Sequence, residues 1–160
     1  MSIKVGDKIP SVSLKYMDKD GMQTAKTDDL FKGKKVVLFA LPGAFTPTCS
    51  AKHLPGFVQH ADAIRKKGVD AIACLSVNDA FVMDAWGKAQ NVGEKVMMLA
   101  DGNADFSKAV GLTMDGTGYG MGTRASRYAM IIDNGVVKAL NVEAPGAFEV
   151  SSAEAVMKAL

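Results

Sequence analysis

Apolar positions cluster in three short runs. Residues 36–41 read Val-Val-Leu-Phe-Ala-Leu, residues 69–77 read Val-Asp-Ala-Ile-Ala-Cys-Leu-Ser-Val, and residues 96–100 read Val-Met-Met-Leu-Ala. Their length and branched or aromatic content predict strands buried on both faces. Between the first two runs, Leu54, Phe57, Val58, Ala61 and Ile64 recur at helical spacing. Lys66, Lys67 and Gly68 make a stop for that helix, and Pro55 predicts a kink in it. After the second run, Asn78 or Asp79 predicts a cap for a helix through about Lys88, with Phe81, Val82, Ala85 and Trp86 on one side. A short helix over residues 104–110 follows the third run. Alternating strands and helices imply right-handed crossovers and a partly parallel sheet.

The two ends of the chain carry a different pattern. Residues 11–17 and 23–26 predict two strands joined by a turn at Asp18 to Gly21. Thr27, Asp28 and Asp29 suit the cap of a helical turn at Leu30 and Phe31. Residues 127–133 and 136–143 flank Asn134-Gly135, a strong signal for a type I′ hairpin. Ser151-Ser152-Ala153-Glu154 reads as a capping box opening a last helix. The glycine-rich residues 111–124 read as loop. No linker, repeat or low-complexity stretch interrupts the chain, so residues 1–160 are expected to form one domain.

The junction after the first run draws the candidate chemistry together. Pro42 and Gly43 end the strand, and Pro47 suits the first helical turn, where its missing N–H costs nothing. Cys49 then lies near a helix N-terminus, just past the carboxyl end of a buried strand. Free N–H groups and the helix dipole favour an anion there, and a thiol so placed is a candidate thiolate. An α/β sheet with terminal hairpins fits a thioredoxin-like fold: a central mixed sheet flanked by helices, with N-terminal and C-terminal hairpins. Thioredoxins carry Cys-x-x-Cys at this same junction, and here Thr46 occupies the first cysteine position.

Charge and composition narrow the function further. A net charge of +2 with no basic block recommends neither nucleic acid nor an anionic membrane surface as partner. No apolar run approaches the roughly 20 residues of a membrane span. The first ten residues lack the apolar core of a secretory signal. Two cysteines do not make a disulfide framework, so a reducing, cytoplasmic setting is expected.

The chain resembles the peroxiredoxins, and within them the type II or peroxiredoxin-5 subfamily. The resemblance is carried by Pro42-Gly-Ala-Phe-Thr46-Pro-Thr-Cys49-Ser, by Lys52-His53-Leu54-Pro55-Gly56-Phe57, by Val77-Asn78-Asp79, by Arg127-Tyr128-Ala129-Met130 and by residues 137–143. It implies that Cys49 is the peroxidatic cysteine, Thr46 its hydroxyl partner, Arg127 its arginine and Pro42 a shield against water. The implied activity is a thiol-dependent peroxidase. It would reduce hydrogen peroxide and small alkyl hydroperoxides through a sulfenic acid on Cys49, with no metal, haem or flavin. Some relatives carry a resolving cysteine near the C-terminal helix, but residues 148–152 contain none. An external reductant, glutathione with glutaredoxin or else thioredoxin, is therefore expected. The family often forms homodimers through loops near the site, and Phe45, Phe81 and residues 118–121 are the candidates here. The alternative is a peroxide sensor or chaperone-like signalling protein that uses the same thiol once.

Several residues carry rival readings. Arg124 is a nearby alternative to Arg127, and only the resemblance selects the latter. His53, four residues after Cys49, could share its helix face and serve a cysteine hydrolase or a metal site. No further His or Cys cluster supports either, and it reads as a polar helix residue. Cys74 is the one possible resolving thiol. At about 3.3 Å per residue it lies about 10 Å back from the strand end, beyond the roughly 7 Å Cα separation a disulfide permits, and it reads as core. The glycines at 116, 118, 120 and 122 match no nucleotide-binding fingerprint and read as a loop shaping the site or a subunit contact.

Overall fold

A computed structural model describes residues 2–160. The strands are β1 (Ser13–Asp18), β2 (Gly21–Lys26), β3 (Lys35–Ala40), β4 (Ala71–Ser76), β5 (Met97–Ala100), β6 (Thr113–Asp115), β7 (Thr123–Ala125), β8 (Tyr128–Asp133) and β9 (Val136–Val142). The helices are α1 (Thr27–Phe31), α2 (Leu54–Lys66), α3 (Ala80–Ala89), α4 (Asp105–Val110) and α5 (Ala153–Ala159). Seven strands form one mixed sheet in the order β2-β1-β5-β4-β3-β8-β9. The three apolar runs supply its centre, where β3 pairs parallel with β4 and β4 with β5. Each terminal hairpin adds two antiparallel strands, β1 beside β5 and β8 beside β3. This is the thioredoxin-like arrangement expected from the sequence.

The central strands are buried on both faces because each face is covered. Along β3 and just beyond, Val37, Phe39 and Leu41 point into one apolar cluster with Leu54, Phe57, Ala61 and Ile64 of α2 and Trp86 of α3. Val36, Leu38 and Ala40 point into the other, with Phe31, Phe106 and Tyr128. The Phe39 and Phe57 rings stack with centroids 4.0 Å apart and planes inclined by 6°. Burying such a ring is worth about 1.5–3 kcal/mol. The contact fixes α2, and the cysteine turn ahead of it, against the carboxyl end of β3.

Some local expectations are corrected. Residues 113–115 and 123–125 form a small antiparallel pair inside the segment read as loop. These three-residue strands are too short to show a period, and the glycines between them mask it. On α3 the buried residues are Ala80, Met83, Trp86 and Gly87, while Phe81 is 63% exposed. The Asp79 carboxylate does cap that helix, accepting from Val82 N–H. The cap of α5 is Ser152, which accepts from Ala155 N–H. Ser151 turns instead toward Glu143.

Candidate active site

Helical winding begins at Pro47, and the Thr46 carbonyl accepts the first helical bond from Ser50 N–H at 2.9 Å. Thr46 thus holds the cap position and Pro47 the first helical one. The chain then winds as a π-helical turn over Cys49–His53 before becoming the α-helix α2. Leu54 N–H reaches back five residues to the Cys49 carbonyl. Pro55 sits in the first α turn beyond it. Where the sequence predicts a kink, the structure relieves the proline with a wider turn. A π turn is a recurrent device at functional sites. It brings Cys49 and His53, four residues apart, to the same side.

Both side chains are fully buried, and Arg127 joins them. Its Nη2 donates to Cys49 Sγ at 3.1 Å, and its Nη1 lies 2.9 Å from His53 Nδ1. A guanidinium has only donors, so Nδ1 must accept and the imidazole must be neutral. Its Nε2–H then donates to the Ser151 carbonyl at 2.9 Å. Burial, and next the Arg127 charge, hold the His53 pKa down to about 3. The reading of His53 as a polar helix residue is therefore corrected. It is a buried brace for the arginine. The Cys-x-x-x-His spacing signals that the two could meet, but not that a strand-end arginine lies between them. Arg127 is placed by the β8–β9 hairpin, immediately before β8, where its carbonyl accepts from Glu143 N–H at 2.9 Å. Phe148 covers this pair: its ring is 5.0 Å edge-on from the His53 ring and 5.9 Å from the Arg127 guanidinium carbon.

The remaining expected residues make other contacts. Arg124 turns away from it, donating from Nη1 to the Pro42 carbonyl at 3.1 Å and from Nε to the Met121 carbonyl at 3.0 Å. It ties the 116–122 loop to the Pro42 turn. The Thr46 hydroxyl donates to the Gly43 carbonyl at 2.7 Å, which commits its proton and leaves its lone pairs. Ala44 N–H donates to Asn78 Oδ1 at 2.9 Å, fastening the same turn to the end of β4. Cys74 lies opposite Phe39 in the sheet, unpaired and fully buried in the Cys49-side cluster. Burial, and next the neighbouring Cys49, push its thiol pKa well up, so it is a poor nucleophile. The sequence shows nothing of Glu143 or Phe148 in this setting, because the loop that holds Phe148 and the partners of Glu143 carries no periodic signal.

Comparison of the whole chain with known proteins shows its family. The Redoxin family model matches residues 4–157. Peroxiredoxin-2E, chloroplastic, of Arabidopsis thaliana is 52% identical over 163 residues, covering 99% of this chain and 70% of that one. Peroxiredoxin-2B of the same plant is 47% identical, covering 99% of this chain and 98% of that one. The crystal structure of reduced Prx3 from Vibrio vulnificus in complex with H2O2 superposes with a TM-score of 0.95 at 58% identity, over 98% of each chain. The chain belongs to the peroxiredoxins of the Redoxin family. As a peroxiredoxin it is a thiol-dependent peroxidase, and the expected fold, family and reaction class hold. In this peroxiredoxin the cluster around Cys49 is built from three separate stretches of chain: the turn after β3, the start of β8 and the loop after β9.

Proposed function

We propose that Cys49 is the peroxidatic thiol and that hydrogen peroxide and small alkyl hydroperoxides are its substrates. The observation that carries this is the 3.1 Å contact from Arg127 Nη2 to Cys49 Sγ at the start of a helix. The cation and the helix dipole both stabilise a thiolate there. The thiolate attacks one peroxide oxygen, an S–O bond forms and the O–O bond breaks. The other oxygen leaves as water or alcohol after taking a proton, and Cys49 becomes a sulfenic acid. Arg127 offers fixed donors to the oxygens as charge moves from sulfur onto them. Thr46 contributes its free lone pairs to the hydroxyl of the incoming peroxide. Pro42 is read as the shield against water: it has no N–H, and its carbonyl accepts from Arg124 Nη1. Full burial of Cys49 supports a preference for small peroxides.

An external thiol then attacks the sulfenic sulfur and releases water, and a second thiol frees Cys49 as a disulfide leaves. Burial of Cys74 supports this external route over an internal one. Glutathione with glutaredoxin, or thioredoxin, is the reductant in this reading, with no metal or organic cofactor. Two unpaired thiols suit a reducing cytoplasm. A homodimer is supported by three exposed aromatic side chains: Phe45, 58% exposed and at a φ of 61°, Phe81 in the first turn of α3, and Tyr119 at 82% exposed.

The experiment is peroxide turnover with glutathione–glutaredoxin and with thioredoxin, run side by side on wild type and Cys49→Ser. Multiple turnovers with one donor, lost entirely in the variant, are expected. Substantial activity in Cys49→Ser would sink the assignment. A single oxidation with neither donor supporting turnover would favour the sensor.

A further inference from the structure

The first residue after β9, Glu143, makes more hydrogen bonds than any surface carboxylate needs. It is 9% exposed. Its Oε2 alone accepts from Glu149 N–H at 2.8 Å, Val150 N–H at 2.9 Å, Ser151 N–H at 2.8 Å and the Ser151 hydroxyl at 2.7 Å. Burial by itself would raise its pKa. The bonds from the Ser151 hydroxyl and the three N–H groups outweigh that and hold the carboxylate below its ordinary value. A charged acceptor gathering four donors is a strong clamp.

What the clamp holds is the back of the site. The loop from residue 144 to 150 leaves β9 and returns at Ser151, whose carbonyl accepts from His53 Nε2. Within that loop Phe148 lies against both His53 and the Arg127 guanidinium. His53 Nδ1 in turn accepts from Arg127 Nη1, and Nη2 of the same guanidinium reaches Cys49 Sγ. An unbroken series of contacts therefore runs from a carboxylate outside the site to the sulfur inside it. Arginine side chains rotate about several bonds, and a fork aimed at sulfur needs a fixed acceptor on its other arm. His53 is that acceptor only while its own ring is pinned at Nε2.

We propose that Glu143 is a positioning residue for peroxide reduction: by holding Ser151 and Phe148 against His53, it fixes the aim of Arg127 at Cys49. The proposal rests on the reading of Cys49 as the peroxidatic thiol. Glu143 touches no reacting atom. Its backbone N–H bond to the Arg127 carbonyl survives substitution, so a side-chain change removes only the loop clamp.

The test is the rate of the first oxidation by hydrogen peroxide, followed by fluorescence of the single tryptophan. Trp86 Nε1–H donates to the Ser50 hydroxyl at 3.0 Å, next to Cys49, so its emission reports on that turn. Glu143→Ala is expected to lower the second-order rate constant by about tenfold or more, since small displacements of aligned groups are costly. Glu143→Gln keeps one carbonyl acceptor and is expected to recover part of that loss. Glu149→Ala removes a nearby exposed charge and is expected to react like wild type. Nitrogen-15 spectra of the His53 ring supply the second readout. Wild type is expected to show a protonated Nε2 and a hydrogen-bonded Nδ1, and Glu143→Ala to lose that pattern.

Glu143→Ala oxidising at the wild-type rate overturns the proposal. A rate loss with unchanged His53 signals overturns it as well, because the effect would then bypass the ring. Should Glu143→Ala not fold cooperatively, Glu143→Gln and Ser151→Ala decide. Wild-type rates and signals in both refute it, and a partial rate loss with altered His53 signals supports it. A wild-type protein that does not react with peroxide defeats the reading of Cys49 instead, while the His53 spectra still report on the clamp.

Discussion

Arg127 reaches Cys49 Sγ at 3.1 Å, while Arg124, three residues earlier, bonds the Pro42 and Met121 carbonyls. The two arginines divide the work of the region. One faces the sulfur, and the other fastens the turn that frames it. The β6–β7 and β8 geometry makes the difference, since Arg124 lies within β7 and Arg127 just before β8.

Arg127→Ala is expected to slow the first oxidation by roughly 10²–10³-fold, the cost of removing a preorganised donor to developing charge. It also leaves His53 Nδ1 without its donor. Arg124→Ala is expected to slow oxidation much less and to lower thermal stability. Stopped-flow oxidation and melting curves of both variants check this. The assignment fails if Arg124→Ala is the more damaging to oxidation.

His53 makes stability depend on pH in a defined direction. Its pKa falls from 6.5 to about 3 on folding, through burial first and Arg127 second. Below 6.5 the unfolded chain takes up a proton that the folded chain refuses, so stability falls with pH through that window. It is fully present above 6.5 and continues to fall until about 3. Between pH 7.5 and 5 wild type is expected to lose about 2 kcal/mol more than His53→Gln. Urea unfolding of the two proteins at both pH values measures it. Parallel losses would show that His53 titrates as it does in the unfolded chain.

The parts legible in the sequence are those with a local cause. The buried runs at 36–41, 69–77 and 96–100 announce β3, β4 and β5 because strands covered on both faces have no polar side to alternate. Asn134-Gly135 announces the β8–β9 hairpin because φ is positive at both, 50° and 79°. Pro47 and Thr46 announce the helix start that carries Cys49. The brace on Arg127 was not legible, because His53 bonds residues 74 and 98 positions away. Glu143 was hidden for another reason: three of its four donors are backbone N–H groups, which every residue but proline has.

Gly43→Ala is expected to disturb the Pro42 turn through Arg124. A Cβ at Gly43 would lie 2.7 Å from Arg124 Nη1 and 3.2 Å from Thr46 Cγ2. The guanidinium is the flexible partner and must move, which breaks its bond to the Pro42 carbonyl. Losing that bond costs about 0.5–1.5 kcal/mol. Because both changes remove the same contact, Arg124→Ala should cost less in the Gly43→Ala background than in wild type. Denaturant unfolding of the four proteins in this cycle checks it, and simple additivity would show that the glycine acts elsewhere.

Cys74→Ser is expected to leave the first oxidation and turnover with an external thiol largely intact. Cys74 pairs with Phe39 across β3 and β4, and it shares its core cluster with Ile72 and Cys49. Burial favours its thiol form, so it attacks a sulfenic acid poorly. It is also enclosed: helix α2 covers this face through Leu54, Phe57 and Ala61. The substitution places a hydroxyl where a thiol packed, and it should cost about 1 kcal/mol or more of stability. Mass spectrometry of non-reduced protein after one equivalent of peroxide decides between the routes. A sulfenic acid on Cys49, or its adduct with the added thiol, is the expected product. A Cys49–Cys74 disulfide as main product, lost together with turnover in Cys74→Ser, would make Cys74 the resolving thiol.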